Sequence, residues 1–284
     1  MNSDPVPRPA QSASNAPPHD AFYRLDLAYK GTAYRGFQRQ PGDAPTVQSV
    51  VEDTLKRLFR DPELHLVTGS RTDAGVHALC LTTSFRTPEP RDPDETAALL
   101  RRQLPHDIRA LSLRLMPPGT TFNAHEQACG KSYIYAVNPG DYHLFQKETC
   151  WGWPGVTDLS EVRRLFPLVV GTHDFSAFTS PRAAAAGSPV RTIRRAEMRQ
   201  FGPVVCFYLA GNGFLYNMVR RIIGALYSVA SGAISPDDFR RLLDRPAFDP
   251  DSCVAPPHGL FLKKIFFRPG EWESDPLDRP PFLG

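Results

Sequence analysis

The run Gly69-Ser70-Arg71-Thr72-Asp73-Ala74-Gly75-Val76-His77-Ala78 sets one carboxylate between an arginine two residues before it and a glycine two residues after it. A carboxylate on an ordered loop can act as a nucleophile at carbon or as a general acid or base. Leu64–Val67 reads as a short strand running into a turn, so Asp73 falls just beyond a strand, where reactive side chains are commonly presented. Arg71 and Asp73 are two apart and share a face in extended backbone. A guanidinium that close would favour the ionised carboxylate. Gly75 allows a tight turn or a close approach to a substrate. Taken alone, a run this short more often describes a polar turn with a surface ion pair.

The elements that must position this loop alternate between β and α signals. Tyr23, Leu25, Leu27 and Tyr29 alternate with polar residues and mark a half-buried strand. Thr46 caps a helix through Arg60, with Val47, Val50, Val51, Leu55 and Leu58 as its apolar stripe. Leu79–Phe85 reads as a strand, Asp94–Leu104 as a helix and Ile108–Leu115 as a strand. Pro117-Pro118-Gly119 then marks a boundary. Beyond it come a strand at Ser132–Val137, a helix at Asp158–Val170, and a strand pair at Thr192–Arg199 and Val204–Ala210. Helices at Phe214–Ser231 and Pro236–Leu243 and a last strand at Leu260–Phe267 complete the set. Several strands alternate polar and apolar residues, as sheets with one solvated face do. The pattern is α+β in two halves, 21–117 carrying the Asp73 loop and 118–268 following it. Residues 1–20 hold five prolines among Ser, Asn and Ala and read as a disordered tail. Residues 269–284 read as a loose tail, and Ala183–Ala186 with Gly187 as a flexible insertion.

Bulk properties narrow the class. The chain has 284 residues, 41% hydrophobic and 22% charged, enough for a substantial core. A net charge of +3 permits nucleic-acid binding without arguing for it. No apolar run approaches the length of a membrane span, and the first twenty residues lack the hydrophobic core of a secretory signal. Cys80, Cys129, Cys150, Cys206 and Cys253 are odd in number and scattered, without a Cys-x-x-Cys pair. Neither a disulfide framework nor a zinc site is expected, and a cytoplasmic setting fits. The eight histidines show no metal-ligand spacing either.

The Asp73 run has company along the chain. Tyr29-Lys30-Gly31-Thr32-Ala33-Tyr34-Arg35-Gly36-Phe37-Gln38-Arg39-Gln40 and Thr46-Val47-Gln48 precede it. Phe122-Asn123-Ala124, Lys131-Ser132-Tyr133, Gly171-Thr172-His173-Asp174-Phe175, the block from Phe214 to Gly224 and His258-Gly259-Leu260 follow. With these blocks in this order, the chain resembles the TruA family of tRNA pseudouridine synthases over almost all of residues 22–267. The resemblance implies two RRM-like or ferredoxin-like domains with mainly antiparallel sheets side by side and a central cleft. It implies an isomerase that breaks the N1–C1′ bond of uridine, turns the base over and joins C5 to C1′. Substrate and product are isomers, so no cofactor, metal or second substrate is called for. It makes Asp73 the catalytic carboxylate and nucleophile, with attack on the base, attack on the sugar and proton abstraction left open. It has Arg220 pair with Asp73, Tyr133 stack on the target base, Leu260 close the base pocket and Arg71 fill the space a flipped base leaves. The implied targets are uridines 38, 39 and 40 of the tRNA anticodon stem-loop, served by a homodimer.

The residues by themselves leave other readings open. Arg220 and Arg221 could cap the polar face of an amphipathic helix, although the resemblance makes Arg221 phosphate-facing. Tyr133, Tyr135 and Leu260 could be core, and His77 reads as a hydrogen-bonding structural residue rather than a proton shuttle. Candidate RNA contacts are Arg35 and Arg39 in the first loop, Arg101 and Arg102, Arg191, Arg194 and Arg195, and Lys263 with Lys264, each of which could be a solvated face. Two positions depart from the family pattern: Ser70 stands where glycine is usual, and His125 where arginine is common. A non-catalytic RNA-binding module of RRM-like fold is the alternative function. A carboxylate hydrolase is disfavoured, because that chemistry generally needs a second placed carboxylate.

Overall fold

The computed structural model describes residues 21–140, 144–244 and 246–283. Residues 1–20, expected to be a tail, lie outside the described residues. The first half runs β1 (Ala21–Tyr29), α1 (Val47–Phe59), β2 (Val67–Thr68), β3 (His77–Thr87), α2 (Pro93–Gln103) and β4 (Ile108–Leu115). Thr46 caps α1: its side chain accepts the Ser49 N–H while the Ser49 side chain accepts the Thr46 N–H. Asp92 caps α2, with Pro93 at its first turn. The second half runs β5 (Gly130–Asn138), β6 (Trp151–Gly152), α3 (Ser160–Leu165), β7 (Gly171–Asp174), α4 (Pro181–Ala185), β8 (Val190–Phe201), β9 (Val204–Gly211), α5 (Met218–Ala230), α6 (Pro236–Asp244) and β10 (Leu260–Phe266).

Several boundaries differ from the sequence pattern for local reasons. The helix expected over 158–170 stops at Leu165 and tightens into a 3-10 turn, Phe166–Val169, which contains Pro167. The expected insertion at 183–186 opens with a short helix instead, capped by Ser180 and begun by Pro181. The helix expected from Phe214 starts at Met218, because Asn217 adopts a left-handed φ of 58°.

The strands form one ten-stranded sheet in the order β4-β1-β3-β10-β5-β9-β8-β7, with β2 beside β3 and β6 beside β5. Neighbours are antiparallel except β3 with β10 and β5 with β6. The architecture is therefore mixed α+β with a mostly antiparallel sheet. The last strand occupies its middle: Phe261 and Leu262 of β10 face His77 and Ala78 of β3, while Leu262 faces Tyr133 of β5. The two sequence halves thus share one sheet. One buried cluster runs through both, from Tyr23, Leu25, Val51 and Leu55 to Tyr135, Phe207, Ile222 and Leu226.

The other face of the second half carries Ile134, Cys206, Tyr208, Phe261 and Phe266. Residues 269–283, expected to be loose, cover it. Leu277 is buried there, and Phe282 stacks on Phe261 with ring centroids 3.9 Å apart. Asp275 accepts hydrogen bonds from Ser132 Oγ at 2.9 Å and Tyr208 OH at 2.7 Å, and pairs with Lys263. These apolar and polar partners exceed what a solvated tail could offer, so the segment is part of the fold.

His77, at the start of β3, ties the centre together. Its Nδ1 accepts the Gly31 N–H at 2.9 Å, so the ring proton sits on Nε2 and is donated to the Glu148 carbonyl at 2.8 Å and the His258 carbonyl at 3.0 Å. Burial holds its pKa below the usual 6.5, outweighing the two carbonyl bonds. The neutral ring is the native form, so its contribution is complete above pH 6.5 and lost as pH falls through the lower folded value. The His77→Ala variant is expected to lose about 1–3 kcal/mol, since the Gly31 N–H is left buried without an acceptor. Urea unfolding of wild type and variant across this pH range should show a gap that narrows as the solution is acidified.

Candidate active site

The loop between β2 and β3 alternates like a strand. Ser70 and Thr72 are buried, while Arg71 is exposed and Asp73 half-buried. The buried pair is held by two tyrosine hydroxyls: Thr72 Oγ1 lies 2.7 Å from Tyr29 OH of β1, and Ser70 Oγ lies 3.2 Å from Tyr133 OH of β5. Thr68 Oγ1 donates to the Ser70 carbonyl at 2.6 Å, and the Phe37 N–H donates to the Thr72 carbonyl at 3.1 Å. The loop then reverses: the Val76 N–H donates to the Asp73 carbonyl at 3.1 Å, and Gly75 takes a φ of +79°. A left-handed residue at the third position of such a turn favours glycine. Anchoring the inward residues fixes the outward ones, so Asp73 has little backbone freedom.

Arg220 meets Asp73 from the first turn of α5. Its Nη1 stands 3.7 Å from Asp73 Oδ2, an ion pair longer than a hydrogen bond. Two neutral acceptors aim the guanidinium: Nε donates to the Ala255 carbonyl at 2.7 Å, and Nη1 to Asn217 Oδ1 at 2.9 Å. Gly224, one turn further along, lets residues 253–255 lie against the helix; a Cβ there would sit 2.1 Å from the Cys253 carbonyl oxygen. Close packing at Gly224 thus brings the Ala255 carbonyl to Arg220.

The ionising partner of Asp73 is Arg220, not Arg71 as the spacing suggested. Arg71 forms no ion pair with any described residue. Burial raises the Asp73 pKa above its usual 3.8, and the Arg220 charge opposes that rise without cancelling it.

The pair opens into a cavity of about 480 Å³. Its walls include the 68–73 loop, Lys131 and Tyr133 of β5, the approach to α5 from Phe214, and Leu260. That size is within the roughly 300–1,000 Å³ of small-ligand pockets. Tyr133 packs edge-on against Phe214 with centroids 5.0 Å apart, and burial pushes its phenol up to about 12, so it stays neutral. Among the described residues, Asp73 is the one carboxylate lining the cavity. No group of three or more His, Cys, Asp or Glu among them could hold a metal ion.

A family model described as tRNA pseudouridine synthase matches residues 27–122 and 166–268. The chain belongs to the tRNA pseudouridine synthase family. Among curated relatives, a tRNA pseudouridine synthase A of Methylacidiphilum infernorum is 32% identical over 250 residues, covering 88% of this chain and 96% of that one. One of Geobacillus kaustophilus is 35% identical over 246 residues, covering 85% and 93%. One of Frankia casuarinae is 34% identical over 249 residues, covering 87% and 89%. Among solved structures, a chain of a Cbf5-Nop10-Gar1 complex aligns at a TM-score of 0.34 and 13% identity over 72% of this chain and 44% of that one, too distant to argue from.

In this tRNA pseudouridine synthase family member, Asp73, Arg220, Tyr133, Arg71 and Leu260 line one cavity. Arg221 does not: it lines a separate cavity on another side of α5, where its Nη1 donates to Ser252 Oγ at 2.6 Å and its guanidinium lies over Phe248. The helical repeat turns consecutive arginines to different faces. Arg39 is also committed internally, to Glu52 at 3.0 Å, Asp53 at 2.6 Å and the Ser49 carbonyl at 3.2 Å. Arg35 is exposed and carries no ion pair with a described residue. Arg101 bonds carbonyls of β4, Arg195 pairs with Glu197, and Lys263 with Asp275. Sequence reasoning missed Lys131, Phe214, Tyr216 and Asn217 as cavity residues, the last three because they read as the start of a helix.

The raised Asp73 pKa means that its ionised form weakens the fold at neutral pH, a penalty relieved as pH falls through the folded value. Asp73→Asn is therefore expected to melt at a higher temperature than wild type at pH 7. The difference should vanish well below pH 3.8, where both states of the wild type are protonated. Thermal melts across this range check it.

Proposed function

We propose that Asp73 is the carboxylate with which this tRNA pseudouridine synthase isomerises uridine, at positions 38, 39 and 40 of the anticodon stem-loop. One observation carries the reading: the single carboxylate among the described cavity-lining residues is ion-paired with a buried-side arginine and flanked by Tyr133. Pseudouridine formation breaks N1–C1′, forms C5–C1′, returns a proton to N1 and releases one from C5. No atom group is gained or lost, so a carboxylate poised as nucleophile suffices. Arg220 favours the ionised form that such chemistry needs, against the burial that disfavours it. Tyr133 offers a ring on which an unpaired base can stack, and Leu260 an apolar wall.

A stacked uridine cannot reach this carboxylate, so the nucleotide must be flipped out, at a cost of a few kcal/mol. Arg71, outward and without an acidic partner, is suited to fill the gap left in the stem-loop. The reading includes two RRM-like units, one on each side of the β3–β10 junction. It also includes a homodimer on one tRNA and a cytoplasmic location, both of which rest on family membership.

Unmodified tRNA tritiated at uracil C5 is expected to release tritium with wild type and not with Asp73→Ala, while both bind the tRNA. Arg220→Gln is expected to lower the rate at least 100-fold, in line with removal of one preorganised electrostatic partner. Tritium release by Asp73→Ala would refute the role of Asp73. Binding without release by wild type would leave a non-catalytic RNA-binding module.

A further inference from the structure

Lys131 is a cation that the fold does not neutralise. It is the second residue of β5, two before Tyr133, and both residues line the cavity. Its ammonium has neither an ion pair nor a hydrogen bond with any described residue. This sets it apart from Arg39, Arg195 and Lys263, each of which has a carboxylate within reach. Asp73 is already engaged by Arg220. Lys131's charged neighbours are instead Arg191 of β8 and Arg71 of the catalytic loop. Burial first, then these two charges, bring its pKa down to about 8. Arg191 is itself held in place, with Nη1 donating to the carbonyls of Ser188 at 2.6 Å and Val190 at 2.8 Å. A partly desolvated cation with like-charged neighbours destabilises a fold, and such arrangements concentrate where a ligand supplies the missing charge.

We propose that Lys131, with Arg71 and Arg191 beside it, forms a phosphate-binding subsite that holds a backbone phosphodiester next to the nucleotide entering the cavity. The proposal rests on the tRNA pseudouridine synthase reading above, since it takes RNA as the ligand. Residues two apart on a strand face the same way, roughly 7 Å apart along it. That span is comparable to the one between a base and its own phosphate. A base against Tyr133 would therefore place its backbone within reach of the ammonium. Lysine suits this role as a point charge, Arg71 adds a second cation on the same cavity wall, and Arg191 adds positive charge from β8. The anion would offset the desolvation that Lys131 suffers in the free protein.

The test is a salt titration of tRNA binding by the full chain, with unmodified tRNA as the probe, for wild type, Lys131→Met and Lys131→Arg, with thermal melts alongside. Lys131→Met should bind roughly tenfold more weakly at low salt, and the slope of log affinity against log salt should shrink by about 1. Lys131→Arg should restore both. Lys131→Met should melt no lower than wild type, because it removes an unpaired charge. An unchanged salt slope in a folded Lys131→Met overturns the proposal whatever happens to turnover, and so does a binding loss that Lys131→Arg fails to restore. Should Lys131→Met not fold, Lys131→Gln is read in the same way. Binding is measured apart from tritium release. A wild type that binds with this salt dependence but releases no tritium therefore counts against the catalytic reading and not against the subsite.

Discussion

The candidate site is organised around one carboxylate set beside a guanidinium in a place that disfavours ions. On the proposed reading, Asp73 is withdrawn from bulk water so that its charge can act on a substrate, and withdrawal raises its pKa. The opposing influence is Arg220 at 3.7 Å, close enough to attract and too far for a firm hydrogen bond. A tighter bidentate pair would hold the carboxylate ionised more strongly but would occupy the lone pairs that the proposed nucleophile needs. Arg220 instead spends two of its donors on the Ala255 carbonyl and Asn217, so its position does not rely on Asp73. The guanidinium is oriented before substrate arrives and leaves the carboxylate oxygens free.

This geometry requires groups from distant parts of the chain to meet, and the central position of β10 achieves it. The loop bearing Asp73 leads directly into β3, and the turn Pro257–Gly259 leads into β10 beside it. His77 fastens the two by accepting from Gly31 and donating to the His258 carbonyl. Tyr133 reaches the loop from β5, on the other side of β10. A sheet interrupted between the halves would leave Asp73 and Tyr133 on separately moving bodies. With the β3–β10 and β10–β5 ladders closed, motion of one relative to the other would break a row of buried backbone hydrogen bonds.

The element pattern was legible because it depends on local periodicity. Tyr23 to Tyr29 alternates as a strand does, and Thr46 with Ser49 makes a capped helix start that needs no tertiary information. The place of Asp73 on a loop just beyond a strand was legible from the residues, and its grouping with Arg220, Tyr133 and Leu260 in one cavity followed only from family resemblance. Three things were hidden from the residues read without the resemblance. The pairing of Asp73 with Arg220 rather than Arg71, which the resemblance alone implied, depends on where α5 starts, and that is set by one left-handed residue, Asn217. The different fates of Arg220 and Arg221 follow from the same helix phase. The packing of residues 269–283 was masked by their prolines, because their apolar residues are too sparse to show a period. Burial of Leu277 and the Asp275 bonds to Ser132 and Tyr208 arise from a surface formed by other strands.

Ser70, where the resemblance expects glycine, is absorbed into the loop's own hydrogen bonding. Glycine at this place would leave the Tyr133 hydroxyl without this protein partner, and an unpaired buried hydroxyl costs about 1–3 kcal/mol. Serine supplies a hydroxyl 3.2 Å away and matches what Thr72 does for Tyr29. Both inward residues of the loop are then tethered to tyrosines on separate strands, which straddle β3 and β10. The outward residues inherit that rigidity, and ordering entropy that would otherwise be lost on substrate binding is already lost on folding. Flipping a nucleotide out of a stem-loop leaves an energy deficit of a few kcal/mol. On the proposed reading, a preformed loop, an aromatic ring worth roughly 1–3 kcal/mol per stacked base and unpaired cations facing a polyanion would together offset a deficit of that size. On this account the stiffness of residues 68–76 belongs to substrate capture as much as to catalysis.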